Sequence, residues 1–283
     1  MSKSKSSARI WPVIVLMALV FVTATANAAE RVKKIRLDDP AGDDNGPGTY
    51  VYPTDAAYTP RCFDLRSLEV LDKGSTVEFR VELAARITDP WNSKEWPEGG
   101  YGFSLQFVQV YIDTDHKVGS GFVEPLPGLG GVRFANDQAW DKAVLVSPHR
   151  KQKLKPEVNA RAKKMAGSAV YPKTIRVQGK KLIAVVAKSD LGQPNKDWGF
   201  QAVMQSGDGF PVGRDIFTRR VNEARGDHRF GGGHDTECDP HVIDIFAGKA
   251  TGAPSEAKAQ YDALAWTCGS KVATLPMIYP SAR

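Results

Sequence analysis

The feature that most limits what this chain can become is a succession of short runs that alternate apolar and polar residues, each closed off by turn formers. Val77-Glu78-Phe79-Arg80-Val81-Glu82-Leu83 is the clearest of them. Successive side chains of a strand point to opposite faces, so this spacing gathers the apolar residues on one face and the charged ones on the other. Residues 104–112 alternate less cleanly, which points to a more buried strand. Runs at 143–146, 175–177, 182–186 and 198–204 follow, and Gln178-Gly179-Lys180-Lys181 reads as a hairpin turn between two of them. Only 159–165 and 255–264 offer short helical patterns. Many short strands without long helices between them argue against a parallel α/β sheet and predict an all-β sandwich or barrel.

A leader precedes these runs. Lys3, Lys5 and Arg9 carry charge with no acid among them, residues 10–22 are almost wholly apolar, and Ala26-Asn27-Ala28 offers a small-x-small exit. That order describes a secretory signal peptide cleaved after Ala28, residues 1–28. Its 13-residue apolar stretch, interrupted by Pro12, falls short of the ~20 residues that span a bilayer. No later stretch is long or apolar enough for a membrane helix. The mature chain is therefore expected to be secreted, periplasmic or at the cell surface, and not an integral membrane protein.

The formal charge of +6 falls to +3 when Lys3, Lys5 and Arg9 leave with the leader. So small an excess does not call for nucleic acid. The basic run 149–164 lacks the aromatic rings on which bases stack. It reads as a solvated loop, or as a contact for an anionic surface such as an acidic cell-wall polymer. Three cysteines permit one disulfide in an oxidising compartment. Cys238 with Cys268 is the expected pair, because it ties down the C-terminal segment; a bridge from Cys62 is the alternative.

A set of motifs adds a resemblance. Asp39-Pro40-Ala41-Gly42-Asp43-Asp44-Asn45-Gly46-Pro47-Gly48-Thr49-Tyr50-Val51-Tyr52-Pro53 resembles the opening signature of the glucodextranase C-terminal binding-module family. Phe63-Asp64-Leu65, Asp89-Pro90-Trp91-Asn92, Gln109-Val110-Tyr111-Ile112-Asp113 and Trp140-Asp141-Lys142-Ala143-Val144 follow in the family's order. So do Leu191-Gly192, Trp198-Gly199-Phe200-Gln201, Phe230-Gly231-Gly232-Gly233-His234-Asp235, and 239–245. Each motif alone is weak, and their shared order over residues 35–250 is fairly specific. The resemblance implies a jelly-roll-like antiparallel β-sandwich related to DOMON and family 9 carbohydrate-binding modules. It implies a non-catalytic module over 29–250, followed by a tail or short helix over 251–283 tethered by the disulfide. Its expected partner is a polysaccharide or the cell-envelope surface, here without an attached catalytic domain.

Candidate sites fall in loops. Asp38, Asp39, Asp43 and Asp44 place carboxylates close together among glycines, the hard-oxygen chemistry that calcium prefers. Asp235, Glu237, Asp239 or Asp244 would complete the shell from the C-terminal side; the expected metal set is Asp39, Asp43, Asp44, Asp235 and Asp239. The alternative is an Asx-type turn that bonds its own backbone. Asp113 and Asp115 follow a strand and read as a turn. His234, Cys238 and His241 have a spacing that transition metals use, but only if Cys238 stays reduced. Sugar-binding surfaces rely on aromatic faces, and the loop 89–101 offers Trp91, Trp96 and Tyr101. Trp96, with polar neighbours, is the best ligand residue; Trp91 is expected to cap the core.

No nucleophile elbow, phosphate-cradling loop or zinc-protease motif appears, so no catalytic residue is assigned. A binding module with structural calcium is the leading expectation. A haem-bearing DOMON-type domain would need axial ligands from His116, His149, His228 or Met204, and a structural surface protein without sugar specificity is the third reading.

Overall fold

A computed structural model describes residues 33–207 and 216–280; the expected leader, 1–28, lies outside them. In chain order the strands are β1 (Lys34–Asp38), β2 (Leu65–Asp72), β3 (Thr76–Leu83), β4 (Gln106–Asp113), β5 (Val132–Phe134) and β6 (Lys142–Val146). They continue with β7 (Ala169–Val170), β8 (Thr174–Gln178), β9 (Lys181–Ala187), β10 (Gly199–Ser206), β11 (Asp244–Ile245) and β12 (Ala273–Leu275). The helices are α1 (Lys151–Arg161), α2 (Lys188–Leu191) and α3 (Glu256–Leu264). The architecture is an all-β sandwich, one of the two forms that the alternating runs allow and the one that the resemblance implies. Two five-stranded sheets, β1-β2-β3-β9-β8 and β11-β10-β4-β6-β7, share one core. Their pairings are antiparallel except β6 with β7, and a small additional sheet joins β5 and β12 in parallel.

The first sheet has one wet face. Val77, Phe79, Val81 and Leu83 of β3 point into the core, while the intervening charged residues meet neighbours on the outer face. There Glu69 accepts Lys34 at 2.6 Å and Arg36 at 2.9 Å, and Glu78 meets Arg80 at 2.5 Å. Half-exposed pairs of this kind add little each and set register more than stability. Gly179, at φ 63°, opens the two-residue turn between β8 and β9, where Gln178 pairs with Lys181. A residue with a Cβ pays a steric penalty at that φ, so glycine suits the first position of a tight hairpin.

The second sheet is covered on both faces. Val108, Val110 and Ile112 of β4 face the first sheet, while Phe107 and Tyr111 face a second core. All eight residues of β4, and all eight of β10, are buried. Among the described residues, most polar groups on that outer face are bonded, Gln205 Nε2 being an exception, and Gln201 is fully so. Gln201 Nε2 donates to the carbonyls of Phe246 and Pro276 at 2.8 and 2.7 Å, and its Oε1 accepts Phe246 N at 3.0 Å.

The covering layer is drawn from segments that carry little strand signal. The basic run, expected as a loop, forms α1 instead. Leu154 and Val158, one turn apart, bury into the second core and give a highly charged segment the anchor a helix needs. Residues 251–280 return across the same face. α3 contributes Leu264 to the second core, β12 lies beside β5, and Ile278 exchanges backbone hydrogen bonds of 2.9 Å with Phe200. Cys238 and Cys268 are disulfide-bonded with Cα atoms 5.2 Å apart, and Cys62 is a free, buried thiol. Among the described residues no helix is long and apolar enough to cross a membrane.

Phe79 is fully buried between the two sheets. Phe79→Ala is expected to destabilise the chain by about 3–5 kcal/mol, seen as a lower urea midpoint at unchanged m-value.

Candidate functional site

The acidic opening loop follows β1. Arg66 fixes its start, its carbonyl accepting Asp39 N at 3.1 Å. The chain then turns through Gly42 and Gly46, both at positive φ, and Gly46 N donates to the Ile243 carbonyl at 2.8 Å. These bonds bring the loop against β11. The side chains of Asp39, Asp43 and Asp244 converge there, each offering a carboxylate oxygen within 4.8 Å of the others. Asp244 is held by two amides: Leu65 N donates to Oδ2 at 2.7 Å and Ile245 N to Oδ1 at 2.9 Å. Asp64 stands beside them, accepting Gly42 N at 2.8 Å and Arg61 Nε at 2.7 Å.

The cluster is buried and under-bonded. Asp39, Asp43, Asp64 and Asp244 are each no more than 1% exposed. Among the described residues, Asp39 Oδ2, both carboxylate oxygens of Asp43, Asn45 Oδ1 and Asp64 Oδ1 have no hydrogen-bond donor. Burial, reinforced by Asp43 and Asp64, pushes the Asp39 carboxyl well above the usual range. Burial likewise drives Asp244 well up, with Asp39 and Asp43 adding to it. Asp43 is pushed up to about 7, chiefly by burial, with Asp64 and Asp44 adding to it. Arg66 pulls Asp39, Asp43 and Asp64 the other way without reversing the shift, so such a group of buried carboxylates persists only if protons or a further cation offset the remaining repulsion.

Other parts of the chain buttress the loop. α3 buries Glu256, Gln260 and Leu264, one residue per turn. Glu256 accepts the backbone amides of Lys249, Thr251, Gly252 and Ala253. Gln260 Nε2 donates to the carbonyls of Asp43 and Gly46, while its Oε1 accepts Ile245 N at 2.9 Å. Gln260 thus clamps the opening loop to β11. A cleft of about 610 Å³ opens beside the cluster, lined by Asp39 together with Arg36, Arg61, Arg66 and Lys180.

The remaining acids named from the sequence lie apart from this triad. Asp44 is buried and accepts the Tyr52 hydroxyl. Asp235 is exposed and accepts Asn222 Nδ2 at 3.0 Å and Glu223 N at 3.1 Å. Asp239 is buried 3.7 Å from His241 Nδ1. His234, Cys238 and Cys268 also approach one another, but both sulfurs are consumed by the disulfide, which removes the thiolates a transition metal would need. Asp64 and Asn45 lie within motifs of the family resemblance but were not named as site residues, and nothing in the local spacing marks Gln260.

The aromatic loop lies between β3 and β4. Asp89 accepts both the amide and the hydroxyl of Ser93 at 2.9 Å, and Ser93 Oγ accepts Gly102 N at 3.0 Å, which closes the loop on itself. Trp91, Trp96 and Tyr101 are all partly buried. Trp91 packs on the core beside Tyr58, with ring centroids 6.0 Å apart, and Tyr101 also packs on the core beneath the Arg150 guanidinium at 4.8 Å. Trp96 belongs to neither core. Its ring lies 4.6 Å from His149, and its Nε1 donates to the Trp91 carbonyl at 3.1 Å. Arg150 Nη2 reaches the Gly100 carbonyl and Lys153 pairs with Glu98 at 3.5 Å, so the start of α1 borders this loop with cations.

A family model described as the C-terminal binding module, SLH-like, of glucodextranase matches residues 35–279. The chain belongs to this family. No curated protein matches it. The glucodextranase-module match begins in β1 and runs past β12, so the carboxylate cluster, the aromatic loop and the C-terminal cover all fall within it. The family is one of binding modules rather than catalytic domains.

The buried acids predict a pH response. An unfolded aspartate titrates near ~3.9, so between that value and about 7 the folded chain holds more protons than the unfolded one. Their contribution to stability is complete below about pH 4 and is lost as pH rises through the folded values. In the presence of chelator, calorimetry is expected to give a higher Tm at pH 5 than at pH 8, and Asp43→Asn to flatten that difference.

Proposed function

We propose that this chain is an exported, non-catalytic module that binds carbohydrate of the cell envelope or of a glucan substrate. Membership of a binding-module family carries this reading. The aromatic loop supports it: Trp96 presents a partly exposed ring outside both cores, on a loop braced by Asp89 and Ser93. Binding residues concentrate on loops that a rigid scaffold holds in place. Trp91 and Tyr101 are packed more tightly on the core and serve chiefly to support it. The sequence of the leader supports export.

The cations beside Trp96 favour an acidic polymer over a neutral one. Arg150 lies over Tyr101, and Lys153 sits at the same edge. Arg150 already donates to the Gly100 carbonyl and Lys153 pairs with Glu98, so an acidic polymer would recruit these cations by exchanging those weak partners for its carboxylate or phosphate groups.

Retention on immobilised neutral α-glucan and on acidic cell-wall polymer tests both parts. Trp96→Ala is expected to weaken retention at least tenfold, the order of ~2 kcal/mol seen when a central tryptophan is truncated. Unchanged retention would remove the aromatic loop from the ligand surface. Stronger retention on the acidic polymer, falling as salt rises, is the expected ranking of the two.

A further inference from the structure

We infer that Asp39, Asp43 and Asp244 hold one calcium ion, which fastens the opening loop of the chain to its C-terminal part. Convergence alone would not carry this. Asp113, Asp115 and Asp141 also bring carboxylate oxygens within 4.8 Å of one another, yet each of the three already accepts at least two hydrogen bonds. Asp113 accepts the amides of Asp115 and His116 and the Tyr279 hydroxyl. Asp141 accepts the amide and hydroxyl of Thr114, and Asp115 accepts Lys117 N and the Ser120 hydroxyl. That second group is a hydrogen-bonded turn.

The first group differs at Asp39 and Asp43, while its third member, Asp244, accepts two backbone amides. Asp39 and Asp43 are buried to within 1% of completely, and Asp39 Oδ2 and both Asp43 oxygens accept nothing among the described residues. Asn45 Oδ1 and Asp64 Oδ1 are likewise without donors. Buried polar atoms in folded proteins are almost always satisfied, and the orphaned oxygens of Asp39 and Asp43, which the nearby Arg66 offsets only in part, call for a further positive charge.

The donors choose the ion. All are oxygens, so soft transition metals are disfavoured. Oxygens on opposite sides of a calcium ion lie roughly 4.6–5.2 Å apart, from Ca–O distances of 2.3–2.6 Å, and a set within 4.8 Å accommodates such an ion. Magnesium binds closer, demands a near-octahedral shell and surrenders its waters reluctantly, which suits a buried protein cage poorly. The positions choose the role. Asp39 and Asp43 come from the loop after β1 and Asp244 from β11, while Gln260 of α3 holds the Asp43 carbonyl from behind. An ion at this point joins segments that have no covalent link near it. The inference does not depend on what the aromatic loop binds.

The test uses the full chain with its disulfide intact, stripped with chelator and then titrated with calcium chloride alone or magnesium chloride alone. Calorimetric titration is expected to show one calcium per chain. At a hundredfold excess over Kd, calcium should raise Tm by roughly 5–10 °C, with a smaller rise in magnesium. Asp43→Asn should abolish the calcium-dependent rise, and Asp115→Asn should retain it in full. The inference is overturned if the stripped protein ignores millimolar calcium, if magnesium acts equally, if the response survives Asp43→Asn, or if Asp115→Asn removes it. Should Asp43→Asn fail to fold, the response of the unaltered chain to the two salts decides the matter.

Discussion

Burial of the second sheet on both faces is the constraint around which the rest of this molecule is arranged. One face of β4 and β10 is paired with the first sheet, as in any sandwich. The other carries Phe107, Tyr111 and Val203, which must be kept from water at about 25 cal/mol per Å² of apolar surface. The chain meets this demand with pieces too small to be stable alone: an eleven-residue helix, two three-residue strands and the last descending segment. Each gains its order from the sheet it covers. The C-terminal segment is therefore part of the fold rather than an appendage, in keeping with a family match that extends to residue 279.

That arrangement also explains where the acidic cluster sits. β11 is only two residues long and lies at the edge of the second sheet, where its Asp244 can look toward the loop that leaves β1. α3 packs behind both. Its buried row of Glu256, Gln260 and Leu264 exchanges apolar contact for hydrogen bonds along two of its three turns. The cluster is thus assembled from segments about 200 residues apart in the chain, while the aromatic loop is local to the stretch between β3 and β4.

The parts of the fold that were legible in the sequence are those where period-two alternation runs long enough to register. β3 shows it outright, and the blurred pattern of β4 reported its double burial correctly. β1 has only Ile35 and Leu37 to signal it, and β7, β11 and β12 are too short for any period to emerge. α1 was hidden by its charge, since two buried residues among eleven leave almost no apolar stripe. The carboxylate cluster was half visible. Asp39 and Asp43 stand together in the sequence, whereas Asp244 was one of several acids near the other end and only the strand pairing selects it. Asp235 looked equivalent on paper but answers to Asn222 and Glu223 instead. Gln260 carries no sequence signal because its role is to meet backbone carbonyls from a helix face.

Cys62 has a bearing on how the covalent framework is kept. Its thiol is buried near Tyr52 and Asp44, and burial pushes it up to about 12. Thiol–disulfide exchange proceeds through the thiolate, and a thiol so shifted supplies almost none at neutral pH. Buried to within 1% of completely, this third sulfur is a poor attacker of the Cys238–Cys268 bridge in the folded chain, so packing protects the pairing.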